Sequence, residues 1–197
     1  MKVVCLASGG IDSSVLMLML KNMGHEVFPL HVNYGQKSAS MELGSFHKVC
    51  GFLEIKPKVI DIPGIGELSI GMTKTDFSYT DNPLFPARNL LLLTIAAAYA
   101  YTKSIKVISI GSLSNSTFPD QTKEFMKNSE TTLNTAIQGQ LKILTPLIDL
   151  NKREVVDLAR KYYLPLEITY SCYIGSSNPC GKCMGCKERE AAEKIHI

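Results

Sequence analysis

The chain has 197 residues, a formal charge of +3 and 45% apolar residues. That length holds one domain, or one domain with an appendage, and that apolar share excludes a disordered chain. So small a charge, without a Lys/Arg block, argues against nucleic-acid binding, and the longest apolar run, 90–101, falls well short of the roughly 18 residues of a membrane span. Asp12 interrupts the early apolar stretch, so no signal peptide is expected and the chain reads as cytoplasmic.

The first element is "KVVCLA" (2–7), a β-branched strand, followed by a helix over 11–24 that Gly24 closes. "EVFPLHVN" (26–33) predicts a second strand, and Pro29 within it predicts an edge position or a bulge. Residues 37–52 place Met41, Phe46, Val49 and Phe52 at helical spacing. A strand follows at 55–62, then a loop over 63–86. Residues 87–104 predict an apolar helix buried on most sides, and 106–111 a fourth strand. After a polar loop, Pro119 opens a helix to about Gly139, "KILTPL" (142–147) is a short strand, and Asn151 with Glu154 caps a helix to Tyr162. Strands alternating with helices predict an α/β fold with a doubly wound, mostly parallel sheet. Such sheets bind ligands at the carboxyl ends of their strands, so the loops at 8–10, 33–36 and 111–118 should share one rim.

"ASGGIDSS" (7–14) joins the first strand to the first helix. A helix N-terminus presents unpaired N–H groups and about half a positive charge. Gly9 and Gly10 let the backbone approach an anion and adopt positive φ, Ser8, Ser13 and Ser14 add hydroxyls, and Ala7 and Ile11 flank them. The loop lacks the lysine of a Walker A loop. Asp12 fits a phosphate site once a magnesium ion joins it. Arg88, at a helix start on the same rim, suits the stabilisation of developing charge, and Tyr34 and Gln36 follow strand two at the nucleotide rim. Asn89 is read as either a cap or a ligand contact, and Asp120 as either an acceptor or magnesium contact or a first-turn carboxylate. His31 is read as a strand histidine with a satisfied hydrogen bond, Lys152 and Arg153 as a solvated face, and Cys5 and Cys50 as core.

Cys172, Cys180, Cys183 and Cys186 form C-x7-C-x2-C-x2-C, with Gly181 and Gly185 for tight turns. Four thiolates suit a closed, structural zinc site; an iron–sulfur cluster is the rival. The domain reading is a nucleotide domain over 1–164 and a zinc-binding tail over 165–197 packed on it.

Residues 8–14 resemble the PP-loop of the N-type ATP pyrophosphatases. With the cysteine set, and with "NYGQK" (33–37), "ARN" (87–89), "FPD" (118–120), "TPLIDLNKREVV" (145–156) and "SCY" (171–173) in order, the chain resembles the 7-cyano-7-deazaguanine synthase family over nearly its whole length. The resemblance implies a ligase that uses ATP with Mg2+ to convert 7-carboxy-7-deazaguanine and free ammonia to the nitrile. An adenylated carboxylate and an amide would be the intermediates, with zinc on the matching cysteines and a homodimeric state. It also implies acceptor binding at Asp120, Gln121 and Thr122. There Gln121 and Thr122 depart from the family pattern, in which Cys and Arg are usual, and "LSNST" (113–117) replaces acidic and aromatic positions. The departure leaves two alternatives: a related PP-loop enzyme with another acceptor (a tRNA base, a protein terminus or a sulfur-transfer substrate), or a nucleotide-binding protein without catalysis.

Overall fold

A computed structural model describes residues 1–114 and 118–194. Residues 115–117 of the polar loop and 195–197 lie outside the described residues. Strand β1 (Lys2–Leu6) leads through helix α1 (Ile11–Asn22) to β2 (Glu26–Asn33), and α2 (Ala39–Phe52) leads to β3 (Lys58–Asp61). The chain then crosses to α3 (Arg88–Thr102), β4 (Val107–Ser109), α4 (Lys123–Ile137) and β5 (Lys142–Leu144), and ends in α5 (Lys152–Lys161) and α6 (Met184–Glu193). All neighbouring strands pair in parallel, in the order β3-β2-β1-β4-β5. The expected doubly wound α/β sheet is therefore present.

Burial on both faces explains the continuous apolar runs of the inner strands β1, β2 and β4. Within β1, Val3 and Cys5 join a cluster with α1, α2 and α5, while Val4 and Leu6 join one with α3 and α4. The strand order reverses at β1, so a crevice opens at the carboxyl ends of β1 and β4.

Three local readings need correction. Strand β2 lies between β1 and β3, so Pro29 is not on an edge strand. Pro29 pairs with Cys5, whereas the β3 ladder begins one residue later at Leu30, so the missing N–H falls before β2 gains its second neighbour. The stretch 63–86 is not wholly a loop, because 3-10 helices form at Pro63–Leu68 and Gly71–Thr73. The helix expected from Pro119 is divided: Pro119–Gln121 is a 3-10 turn, and extended Thr122 separates it from α4.

The segment after α5 folds back over the sheet's carboxyl edge. Arg189 of α6 donates to the Leu166 and Thr169 carbonyls at 2.8 and 3.0 Å, and Ala192 reaches the core beside α5. Tyr170 donates its backbone N–H to the Gly9 carbonyl at 3.0 Å. The tail therefore touches the loop between β1 and α1 directly.

Candidate nucleotide site and four-cysteine cluster

A cavity of about 650 Å³ opens at the reversal point, and the loops after β1, β2 and β4 all reach it. Ala7, Ser8, Gly10, Ile11, Asp12 and Ser13 line it from the first loop, Tyr34 and Gln36 from the second, and Gly111 and Ser112 from the third.

The first loop is held by its own polar groups. Gly10 N–H donates to Ser8 Oγ at 3.2 Å, Ser8 N–H to Ser13 Oγ at 3.2 Å, and Ser14 Oγ to the Gly10 carbonyl at 2.7 Å. Ser14 is fully buried, so its hydroxyl braces the first turn of α1 rather than facing the cavity. Gly9 has φ +85°, and a Cβ there would lie 2.5 Å from Phe46 N and 2.6 Å from the Glu42 carbonyl oxygen. Gly10, also expected at positive φ, is extended instead, with φ −78°. One glycine meets the conformational demand, and the other serves as the N-cap residue of α1.

Lys152 is not on a solvated face. Its Nζ donates to both carboxylate oxygens of Asp12 at 2.8 Å, with the side chains only 23% and 28% exposed. An exposed pair is worth about 0–1 kcal/mol; shelter from solvent and salt strengthens this one. Asn151 caps α5 by accepting from Glu154 N–H at 3.1 Å, and Glu154 accepts from Asn151 N–H at 2.7 Å. That box fixes the start of α5 and with it the lysine one residue on. A cation at a helix N-terminus opposes the dipole, and Asp12 offsets it here. The capping pattern was visible in the sequence; the pairing across 140 residues was not.

Arg88 opens α3 behind Ala87, whose φ of 58° is left-handed. Its guanidinium lies 5.8 Å from the Phe118 ring, and the buried Tyr34 borders the same cavity. Burial works against its charge, but Tyr34, Asp120 and Tyr173 outweigh that and keep it firmly protonated. Burial pushes the Tyr34 hydroxyl up to about 12, so it remains a donor at neutral pH.

Of the three expected acceptor residues, Gln121 lines the cavity. Asp120 is buried and accepts from Asn89 N–H at 2.9 Å, while Asn89 Nδ2 donates to the Asp120 carbonyl at 3.0 Å. Asp120 thus holds the start of α3, next to Arg88. Thr122 caps α4, accepting from Phe125 N–H at 3.1 Å. A second cavity, of about 680 Å³, adjoins the first through Phe118, Tyr173 and Glu188, and Phe77, Tyr79 and Lys187 also border it.

The four tail cysteines converge, with all sulfurs within 4.8 Å of one another and Cys180 and Cys186 at 4.0 Å. Tetrahedral zinc with 2.3 Å bonds needs sulfurs about 3.8 Å apart, so the set fits after a small closure. Backbone N–H groups already point at the sulfurs, from Cys180 to Cys172, from Tyr173 to Cys183 and from Cys183 to Cys180, at 3.3 to 3.4 Å. Burial raises the Cys172 thiol, but donation from Cys180 and Ile174 outweighs it and brings the thiol to about 6. The donor set suits a structural zinc that these four residues would hold.

A parallel sheet with this order and a serine-glycine loop at its reversal point defines a nucleotide-binding α/β protein of the PP-loop class. The fold is like that of NMN synthetase from Francisella tularensis, with TM-score 0.58 and 16% identity over 97% of this chain and 75% of that one. The chain belongs to the family described as "Queuosine biosynthesis protein QueC", whose sequence model matches residues 2–195. Among its relatives, 7-cyano-7-deazaguanine synthase 1 of Desulfitobacterium hafniense (strain Y51) is 35% identical, over 99% of this chain and 92% of the relative. The 7-cyano-7-deazaguanine synthase of Nautilia profundicola is 33% identical, over 95% and 91%. Among the described residues, no helix is long and apolar enough to cross a membrane.

Proposed function

We propose that this chain is an ATP-dependent carbon–nitrogen ligase that converts 7-carboxy-7-deazaguanine and ammonia to 7-cyano-7-deazaguanine. The observation that carries this reading is the coexistence, in a member of this family, of a serine-glycine loop lining the first cavity and a four-cysteine cluster in the tail, joined by the bond from Tyr170 N–H to the Gly9 carbonyl. In the proposed reaction a carboxylate oxygen attacks the α-phosphorus of ATP and pyrophosphate leaves. Ammonia then displaces AMP and loses a proton to form the amide; the amide oxygen attacks the α-phosphorus of a second ATP, pyrophosphate leaves, and loss of AMP carrying that oxygen, with the two N–H protons, gives the nitrile.

The loop at 8–13 would hold the departing pyrophosphate by its N–H groups and the Ser8 and Ser13 hydroxyls. Lys152 would meet the phosphates and free Asp12 for the magnesium that accompanies ATP, exchanging one ion pair for two. Arg88 would offset the charge that develops on the activated oxygen. Because Thr122 and Asp120 are engaged in capping, the acceptor reading shifts toward Gln121, Phe118 and Tyr173, where the two cavities meet. The proposal includes a cytoplasmic homodimer, which sedimentation of the purified protein checks.

Incubation with ATP, magnesium, ammonia and 7-carboxy-7-deazaguanine tests the reaction. Nitrile formation with release of AMP supports the proposal. AMP release only with a different acceptor supports a related PP-loop enzyme, the alternative that the Gln121–Thr122 departure favours. Tight ATP binding without turnover overturns the enzymatic reading.

A further inference from the structure

We propose that the Glu188 carboxylate, where the two cavities meet, binds the ammonium ion that supplies the nitrogen. This rests on the reading of the chain as a ligase that consumes ammonia.

Among the described residues, four carboxylates border the cavities: Asp12, Glu42, Asp81 and Glu188. Three of them are already engaged. Asp12 holds Lys152 through both oxygens at 2.8 Å. Glu42 accepts from Gln36 Nε2 at 2.9 Å and from Ser38 Oγ at 2.6 Å, and Asp81 accepts from Ser78 N–H at 2.7 Å. The Glu188 carboxylate has no ion pair and no hydrogen bond among the described residues. Of the four, Glu188 alone borders both cavities, and its side chain is exposed to them.

Its position suits the delivery of a nucleophile. The charges of Lys152 and Asp12 reach Glu188 from the phosphate side, and the charge of Glu188 reaches the Tyr173 hydroxyl on the acceptor side. In the proposed reaction the carboxyl carbon lies between Tyr173 and the first loop, beside this anion. Ammonia is mostly ammonium at neutral pH, so the place that collects it needs a negative charge. The first loop cannot serve, because its N–H groups, Lys152 and Arg88 attract anions and repel cations.

The surroundings favour a monovalent cation. Magnesium demands near-octahedral oxygen ligands, whereas Glu188 shares its junction with Phe118 and Tyr173, whose ring faces attract ammonium. Gly185 holds the Tyr173 ring close to α6, since a Cβ there would lie 2.9 Å from it. Of the lysines on the second cavity, Lys182 lies over the Tyr79 ring, 5.4 Å from its centroid. Lys187 precedes Glu188 on α6, and residues one apart on a helix do not face each other. Bound at Glu188, ammonium gives one proton to water, and the lone pair so freed attacks the acyl carbon as AMP leaves.

Initial rates of nitrile formation test this on the wild type, Glu188→Gln and Glu188→Asp. Ammonium chloride is varied at saturating ATP and 7-carboxy-7-deazaguanine, with pH fixed and choline chloride holding the ionic strength. Glu188→Gln should raise the KM for ammonium about fivefold, the scale of one ion pair in an open site. Its kcat should recover at saturating ammonium, and the KM values for ATP and acceptor should not change. Glu188→Asp, which keeps the charge, should restore part of the affinity. Potassium, a monovalent cation of similar size, should compete with ammonium in the wild type and much less in Glu188→Gln. An unchanged ammonium KM in folded Glu188→Gln overturns the inference while the ligase stands. So does potassium competition that is equal in the two proteins, or a rise confined to the KM for ATP or for the acceptor, whose own N–H groups could use this carboxylate. Failure of the wild type to turn over the acceptor with ammonia overturns the ligase reading and this inference together.

Discussion

At Gly9 two demands coincide, a left-handed backbone and a contact with α2 too close for any side chain. Gly9→Ala should therefore lose at least about 1–2 kcal/mol from the backbone conformation alone. Thermal unfolding should show a fall of about 2–4 °C per kcal/mol. Gly10→Ala should cost less, because its φ is ordinary and its Cβ would meet Ser8 Oγ and the Tyr170 carbonyl no closer than 3.3 Å. Equal losses in the two variants would contradict this assignment. The composition of the loop was legible in the sequence, but the division of labour between its glycines was not, since it depends on where Phe46 packs. His31 gives a second residue-scale outcome. Its proton affinity is lowered in the folded chain, so below pH 6.5 the unfolded chain binds more protons. Stability should begin to fall as pH drops below 6.5 and level off once the lowered folded value is passed. Denaturant titrations of His31→Leu over the same range should show a shallower slope.

Among the elements, α3 and α4 start where the sequence is hardest to read. Pro119 signals a helix start, yet the 3-10 turn it opens serves to bring the Asp120 carboxylate to the Asn89 N–H, and α4 begins afresh at Thr122. Both contacts cross more than thirty residues or depend on a kink, so no local pattern reports them. The α5 capping box, by contrast, lies within four residues and was fully legible. Introducing arginine at Thr122, where the resemblance leads one to expect it, therefore has a structural consequence. Thr122→Arg removes the α4 cap and should cost about 1 kcal/mol. A lower denaturant midpoint with unchanged slope would register that loss. An unchanged or raised midpoint would show that the cap contributes nothing.

Across the whole molecule, the alternation of strands and helices sufficed to read the sheet, because the inner strands β1, β2 and β4 are buried on both faces and their apolar runs say so, while the edge strand β3 is only half-buried. The tail was legible only in its cysteines. Its small core consists of those residues with Tyr170, joined at the edge by Met41 of α2 and by Tyr173 and Ile174. Without a cross-link, so few apolar contacts cannot offset about 1–2 kcal/mol of backbone entropy per ordered residue. Chelation, or Cys183→Ser, should loosen residues 165–190 first, giving protease cuts there while far-ultraviolet circular dichroism keeps most of the sheet signal. Loss of the whole fold, or a tail that resists protease without metal, would refute that order of events. The bond from Tyr170 N–H to the Gly9 carbonyl should carry the effect into the loop between β1 and α1, the proposed phosphate site. Because equilibrium coupling is reciprocal, whatever factor metal adds to nucleotide affinity, nucleotide must add to metal affinity. A chain filled with ATP should then surrender its zinc more reluctantly than an empty one, so that a working enzyme would outlast an idle one when metal is scarce.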